Sequence, residues 1–136
     1  GHTWTVAETP IARGNASSGI FSIARTGNTV VAVGGDYKDP SRSVRTAAYS
    51  VDKGRTWRLA RRQPGGFRSA VMIFSGANAG GVTIAVGPTG EDISHDRGIH
   101  WTSTGKLDLN ALAGTDVTHV WGVGPKGTIA HLILGK

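Results

Sequence analysis

Apolar, β-branched residues recur along the chain in short runs, each cut off by Gly, Pro or Asn, a pattern that predicts strands rather than helices. Inner strands are expected at 20–24, 70–74 and 109–113, and second strands at 30–34, 83–87 and 120–124, each ending in Val-Gly. Third strands follow at 46–50, 92–94 and 128–132, and fourth strands begin at Thr56 and His100. Residues 3–7 add an orphan fourth strand ahead of the first full set, so the order is one, four, four and three strands. No segment of ten or more residues sustains a helical period, because Gly or Pro interrupts each candidate.

The strands belong to a repeat. Ser50-Val51-Asp52-Lys53-Gly54-Arg55-Thr56-Trp57 and Ser94-His95-Asp96-Arg97-Gly98-Ile99-His100-Trp101 agree at every fixed position of Ser-x-Asp-x-Gly-x-x-Trp. Gly1-His2-Thr3-Trp4-Thr5 fits the tail of the same frame, which predicts that the chain derives from a longer parent cut inside a motif. From Gly87 to Asp96 is nine residues and from Gly34 to Asp52 eighteen, so the first repeat carries an insertion around 36–45. After Gly124 the Asp position falls on Ile133, with Gly135 at the glycine position, and the last repeat ends within its third strand.

Four-stranded units of about 40–50 residues are the blades of a β-propeller, whose radial packing covers most sheet edges. The expected fold is therefore all-β, a partial propeller of about three blades: an orphan strand in 1–8, blades at 19–60 and 66–104, and an incomplete blade at 107–136. The two full motifs resemble the Asp-box, or bacterial neuraminidase repeat. In such a hairpin Ser50, Asp52 and Gly54, like Ser94, Asp96 and Gly98, fasten the turn, while Trp57 and Trp101 bury a large ring between blades. The chain as a whole resembles the propellers related to the photosystem II stability and assembly factor. That likeness rests on Val33-Gly34-Gly35-Asp36-Tyr37, Gly66-Phe67-Arg68-Ser69-Ala70-Val71 and Trp121-Gly122-Val123-Gly124-Pro125-Lys126-Gly127-Thr128-Ile129. The resemblance implies a periplasmic or extracellular setting. Many such proteins are labelled oxidoreductases, but the glycines here precede no helix that could present its N-terminus to a dinucleotide.

Composition narrows the chemistry further. With no Cys, the 136 residues hold no disulfide scaffold, thiol nucleophile, iron–sulfur cluster or Cys-ligated zinc. No apolar stretch reaches the roughly 18 residues of a membrane span. His95, His100, His119 and His131 show no recognised ligand spacing, so neither a metal nor another cofactor is expected. Ser22 and Ser69 lie on inner strands outside any nucleophile elbow, and no catalytic residue is assigned. The net charge of +6 rests mainly on arginine, ten residues against five lysines.

In a blade array the loops entering first strands and those joining second to third strands share one face, opposite the Asp-box hairpins. That sorting gathers Arg13, Arg42, Arg45, Arg61, Arg62 and Lys126 on one side, with Asp36, Tyr37 and Asp39 in the insertion. Arg68 is the leading ligand-binding candidate, at an inner-strand entrance matched by Phe21 and Asn110, with the insertion folded over it. The open alternative pairs Arg68 with Asp36, pinning the insertion. The favoured function is a non-catalytic binding or assembly module that grips a protein or acidic glycan through Arg68, Asp36, Tyr37, Arg42, Arg45 and Asn110. A sialidase-like glycoside hydrolase is the alternative, its catalytic groups lying largely on blades outside this chain, since only Glu8 and Glu91 are present and neither is placed beside a Tyr. Nucleic-acid binding is disfavoured because the arginines are not interleaved with aromatics. Because an incomplete array exposes apolar ends, the expected partner is a complementary propeller fragment of the same parent or a second copy of this chain.

Overall fold

The computed structural model describes residues 1–76 and 81–134. Eleven strands among these form three antiparallel sheets. The first contains β1 (Ser18–Thr26), β2 (Thr29–Asp36), β3 (Ala47–Ser50) and β4 (Arg58–Leu59) in that spatial order. The second repeats it with β5 (Ala70–Phe74), β6 (Val82–Gly87), β7 (Gly90–Ser94) and β8 (Thr102–Gly105). In the third, β10 (Val120–Val123) lies between β9 (Ala111–Gly114) and β11 (Ile129–Leu132), and no fourth strand flanks β11 among the described residues. The fold is thus all-β, and no described helix is long and apolar enough to cross a membrane.

Side-chain alternation explains how the sheets stack. Along β2, Val31 and Val33 point to one face and Ala32 to the other, as the two-residue period of a strand requires. Val31, Val33, Ala47 and Ala60 of the first sheet meet Val71, Ala85 and Trp101 of the second. On the second sheet's other face, Phe74, Ile84, Val86 and Ile93 meet Leu109 and Val120, the latter in the third sheet. Residue by residue, β2 and β6 present alternate side chains to different neighbours, and both strands are buried almost throughout.

The ends of this stack are open. On the first sheet's outer face Ala32, Ala48 and the half-buried Trp57 cluster with Ile11, while Ile20 and Ile23 stay exposed. Trp121, Val123 and Ile129 of the third sheet are exposed likewise.

Two expectations are corrected here. Residues 3–7 form no strand and pair with none of the described strands, and Trp4 is 95% exposed. Trp101 is buried between two sheets at 2% exposure, but Trp57, its repeat equivalent, lies on the outer face of the first sheet, where no other sheet of the described residues packs on it. The expected position of Gly135 lies outside the described residues.

Candidate functional site

The two Ser-x-Asp-x-Gly-x-x-Trp hairpins have the same internal wiring. Ser50 Oγ donates to Asp52 Oδ1 at 2.7 Å and accepts from the Gly54 amide at 2.8 Å, and Ser94 Oγ does so to Asp96 and from Gly98 at 2.8 and 2.9 Å. The Asp then reaches forward: Asp52 Oδ1 accepts from the Thr56 amide at 2.9 Å, and Asp96 Oδ1 from the His100 amide at 2.8 Å. Each Trp donates its indole N–H to the motif glycine's carbonyl, 2.9 Å for Trp57 to Gly54 and 3.1 Å for Trp101 to Gly98. Glycine is required because both positions hold φ of +85°. At Gly98 a Cβ would in addition press on Val31 of the first sheet.

These carboxylates are committed to turn amides and hydroxyls, which lowers their proton affinity. The Thr56 hydroxyl, then the Thr56 amide and Ser50, hold Asp52 down to about 2. At Asp96 burial is the largest single influence and pulls upward, but hydrogen bonds from the His100 amide and ring and from Ser94 together outweigh it. Asp116, in the turn between β9 and β10, is held well below the ordinary carboxylate range by the Thr118 hydroxyl and His119. A folded-state value below the unfolded one means stability that is present above about pH 4 and lost as pH falls towards 2. Thermal unfolding against pH is therefore expected to show wild type more stable than Asp52→Asn at neutral pH, with the gap closing by pH 2. A gap independent of pH would show that the carboxylate charge does not contribute.

The opposite loop face is organised around the insertion 37–46. It folds back over the connection 61–68: the Phe67 amide donates to Pro40 O at 2.9 Å, and Ser43 Oγ donates to Pro64 O. Gly66 lies so close to this strap that a Cβ there would collide with the Pro40 carbonyl. Gln63 locks the connection to the first sheet, its Oε1 accepting from the Thr46 and Ala47 amides at 2.8 Å each while Nε2 donates to Ala60 O at 2.8 Å.

Arg68 sits beneath this strap, as a buried cation rather than an open ligand grip. Its Nε donates to Asp92 Oδ2 at 2.6 Å, with both side chains 1% exposed. Nη1 donates to Phe67 O at 2.9 Å and to Thr89 Oγ1 at 3.0 Å. Asp92 Oδ1 accepts from Ser103 Oγ at 2.7 Å and the Gly65 amide at 3.2 Å, so both carboxylate oxygens are engaged. The expected alternative partner, Asp36, instead accepts from the Lys38 amide at 2.9 Å. The supposed match of Phe21, Arg68 and Asn110 also fails. Ala70 pairs with Val86 as Ala111 pairs with Val123, which equates Arg68 with buried Leu109 and Asn110 with Ser69. A bulge between Ile20 and Ser22 shifts Phe21 out of frame.

Three of the expected ligand residues do converge. Asp36, Arg42 and Arg45 line one pocket of about 150 Å³ beside β1, together with Arg13, Asn15 and Ser18. Arg13 pairs with Glu8 at 2.6 Å, but both groups are exposed and the pair is worth little. Arg42 and Arg45 have no side-chain hydrogen bond or ion pair among the described residues. The Arg45 backbone is held at φ +56°, unusual for a side chain of its size, and its carbonyl accepts from the Ala12 amide at 2.9 Å. Ser17, then the Lys38 amide, keep Asp36 ionised below its ordinary range.

Tyr37, next to Asp36 in the chain, does not line this pocket; it packs edge-on against Phe21, which in turn packs edge-on against Phe67. Asn110 lies exposed at the entrance to β9 and is not part of the cluster. Asn15 was not anticipated. The signal for it was the run Asn15-Ala16-Ser17-Ser18, whose hydroxyls both donate to Asn15 Oδ1 at 2.9 Å and build the pocket wall. Among the described residues no cluster of His, Asp or Glu could hold a metal ion. No family model, curated protein or solved structure matches this chain.

Proposed function

We propose that this chain is a blade array of an Asp-box β-propeller and serves as a non-catalytic binding module, holding a carboxylate-bearing ligand, an acidic protein surface or an acidic glycan, on its loop face. The hairpin wiring repeated at Asp52 and Asp96 and the stacking of like sheets support the fold half of this reading. One observation carries the functional half. Arg42 and Arg45 line a single pocket, no counterion among the described residues engages them, and Arg45 is kept there by a backbone conformation that costs of order 1 kcal/mol or more. Guanidinium groups so placed suit bidentate carboxylate recognition, and Asp36 at the rim disfavours ligands whose negative charge is spread evenly.

Calorimetric titration with a sialylated oligosaccharide and with an oligoglutamate peptide tests this. Binding to either is expected to weaken about tenfold on Arg42→Ala or Arg45→Ala, the equivalent of roughly 1.4 kcal/mol, and to weaken as salt rises. Affinity unchanged in both variants sinks the reading, as does hydrolysis of the oligosaccharide, which would favour a glycoside hydrolase.

A further inference from the structure

The pocket beside β1 carries charges of both signs that do not neutralise one another. Asp36, Arg42 and Arg45 all line it, yet among the described residues no ion pair joins Asp36 to either arginine. Arg13, the remaining cation on the wall, is taken by Glu8. Two guanidinium groups and one carboxylate therefore share a space of about 150 Å³ without pairing.

Each charge is held by its own anchors. Asp36 Oδ1 accepts from the Lys38 amide at 2.9 Å and Oδ2 from Asn15 Nδ2 at 3.4 Å. Asn15 cannot turn that donor away, because its Oδ1 already accepts from the Ser17 amide at 3.0 Å and from the Ser17 and Ser18 hydroxyls at 2.9 Å each. Arg42 springs from a turn closed by its own amide on Asp39 O at 3.1 Å, and Arg45 from the left-handed backbone fastened to the Ala12 amide. None of these anchors links the anion to the cations, so the separation of charge is set by the loop itself.

A ligand that satisfies all three groups carries the opposite set, two carboxylates and one cation. Its size is bounded as well, since the pocket is well below the roughly 300–1,000 Å³ that encloses a drug-sized molecule. Val44 and Ala12 supply apolar wall, which suits the short carbon chain joining such groups. We propose that this pocket binds a free dicarboxylic α-amino acid of the glutamate or aspartate class, with its two carboxylates on Arg42 and Arg45 and its ammonium on Asp36. The inference rests on the carboxylate reading above and narrows it. A bare dicarboxylate meets the same arginines but brings a negative charge towards Asp36 and leaves that carboxylate without a partner, which is the basis of selection. An ammonium placed there gains a charge-assisted hydrogen bond instead.

Calorimetric titration of the 136-residue chain with glutamate and with glutarate, which has the same two carboxylates and no ammonium, provides the test. Glutamate is expected to bind at least about tenfold more tightly than glutarate, the worth of a hydrogen bond between charged groups. Asp36→Asn keeps an acceptor for the Lys38 amide but removes the charge, and should bring the two affinities to within about threefold. Equal affinities in the wild type overturn the inference while leaving the carboxylate reading in place. So does a preference for glutamate that persists in Asp36→Asn, because another group would then be sensing the ammonium. Failure of glutamate to bind, when the sialylated oligosaccharide or oligoglutamate binds through Arg42 and Arg45, likewise overturns this inference alone. If no ligand depends on either arginine, both readings fall.

Discussion

Trp101→Ala is expected to lower the unfolding free energy by about 3–5 kcal/mol, whereas the chemically identical Trp57→Ala costs roughly 1–2 kcal/mol. Each residue ends a copy of the same eight-residue motif and donates to the carbonyl of its own motif glycine, Gly54 or Gly98. What differs is the other side of the ring. Trp101 is 2% exposed, enclosed by Val31, Val33 and Ala47 of the first sheet and by Val71 and Ala85 of its own, so truncation leaves a cavity that rigid strands on both sides cannot close. Trp57 meets Ala32, Ala48 and Ile11 on one side and solvent on the other, so truncation removes contacts without creating an enclosed void. Urea unfolding of the three proteins at neutral pH, with equal m-values, reads the difference directly. Similar losses at the two positions would mean that the first and second sheets do not pack through Trp101 as described.

The second large effect is expected at the buried ion pair. Arg68→Ala or Asp92→Ala should each cost about 3–5 kcal/mol, because either change strands a charge that is buried and has no water to turn to. Asp92 holds Ser103 and the Gly65 amide as well as Arg68, and Arg68 in turn holds the Phe67 carbonyl and Thr89. The double change Arg68→Met with Asp92→Leu should lose much less than the sum of the single changes, since no charge is then left unpaired and only neutral groups lose a partner. A double-mutant cycle measures this coupling. Additive losses would show that the two ions act independently, contrary to their 2.6 Å contact. Neither single change should alter the Arg42–Arg45 pocket chemistry except through stability, which separates Arg68 as a structural cation from the surface arginines proposed to bind.

Apart from residues 3–7, which form no strand, strand positions were readable in the sequence to within a few residues. The fourth strands begin at Arg58 and Thr102 rather than at Thr56 and His100 because the motif's last residues complete the turn, with both amides bonded to the preceding Asp. The candidate site was legible only in part. Asp36, Arg42 and Arg45 could be grouped because one short insertion carries all three, so chain connectivity alone keeps them near one another. Arg68 and Asn110 could not be placed in the same way, since their surroundings depend on strand register across separate sheets. A bulge at Ile20 to Ser22 was enough to break the assumed equivalence with Phe21.

The sequence by itself determined the all-β class, the two hairpins and the loops that bear the arginines, because alternation, turn glycines and side-chain-to-amide bonds act over spans of two to four residues. The tertiary structure alone decided which carboxylate meets Arg68, which tryptophan is covered and which pocket is left open. Those outcomes rest on faces brought together from distant parts of the chain: Arg68 and Asp92 are 24 residues apart, and Val31 and Trp101 share a core although they lie in different sheets. Burial reverses the meaning of a residue type. The same guanidinium that binds ligand at an open rim becomes a structural counterion once strands close over it.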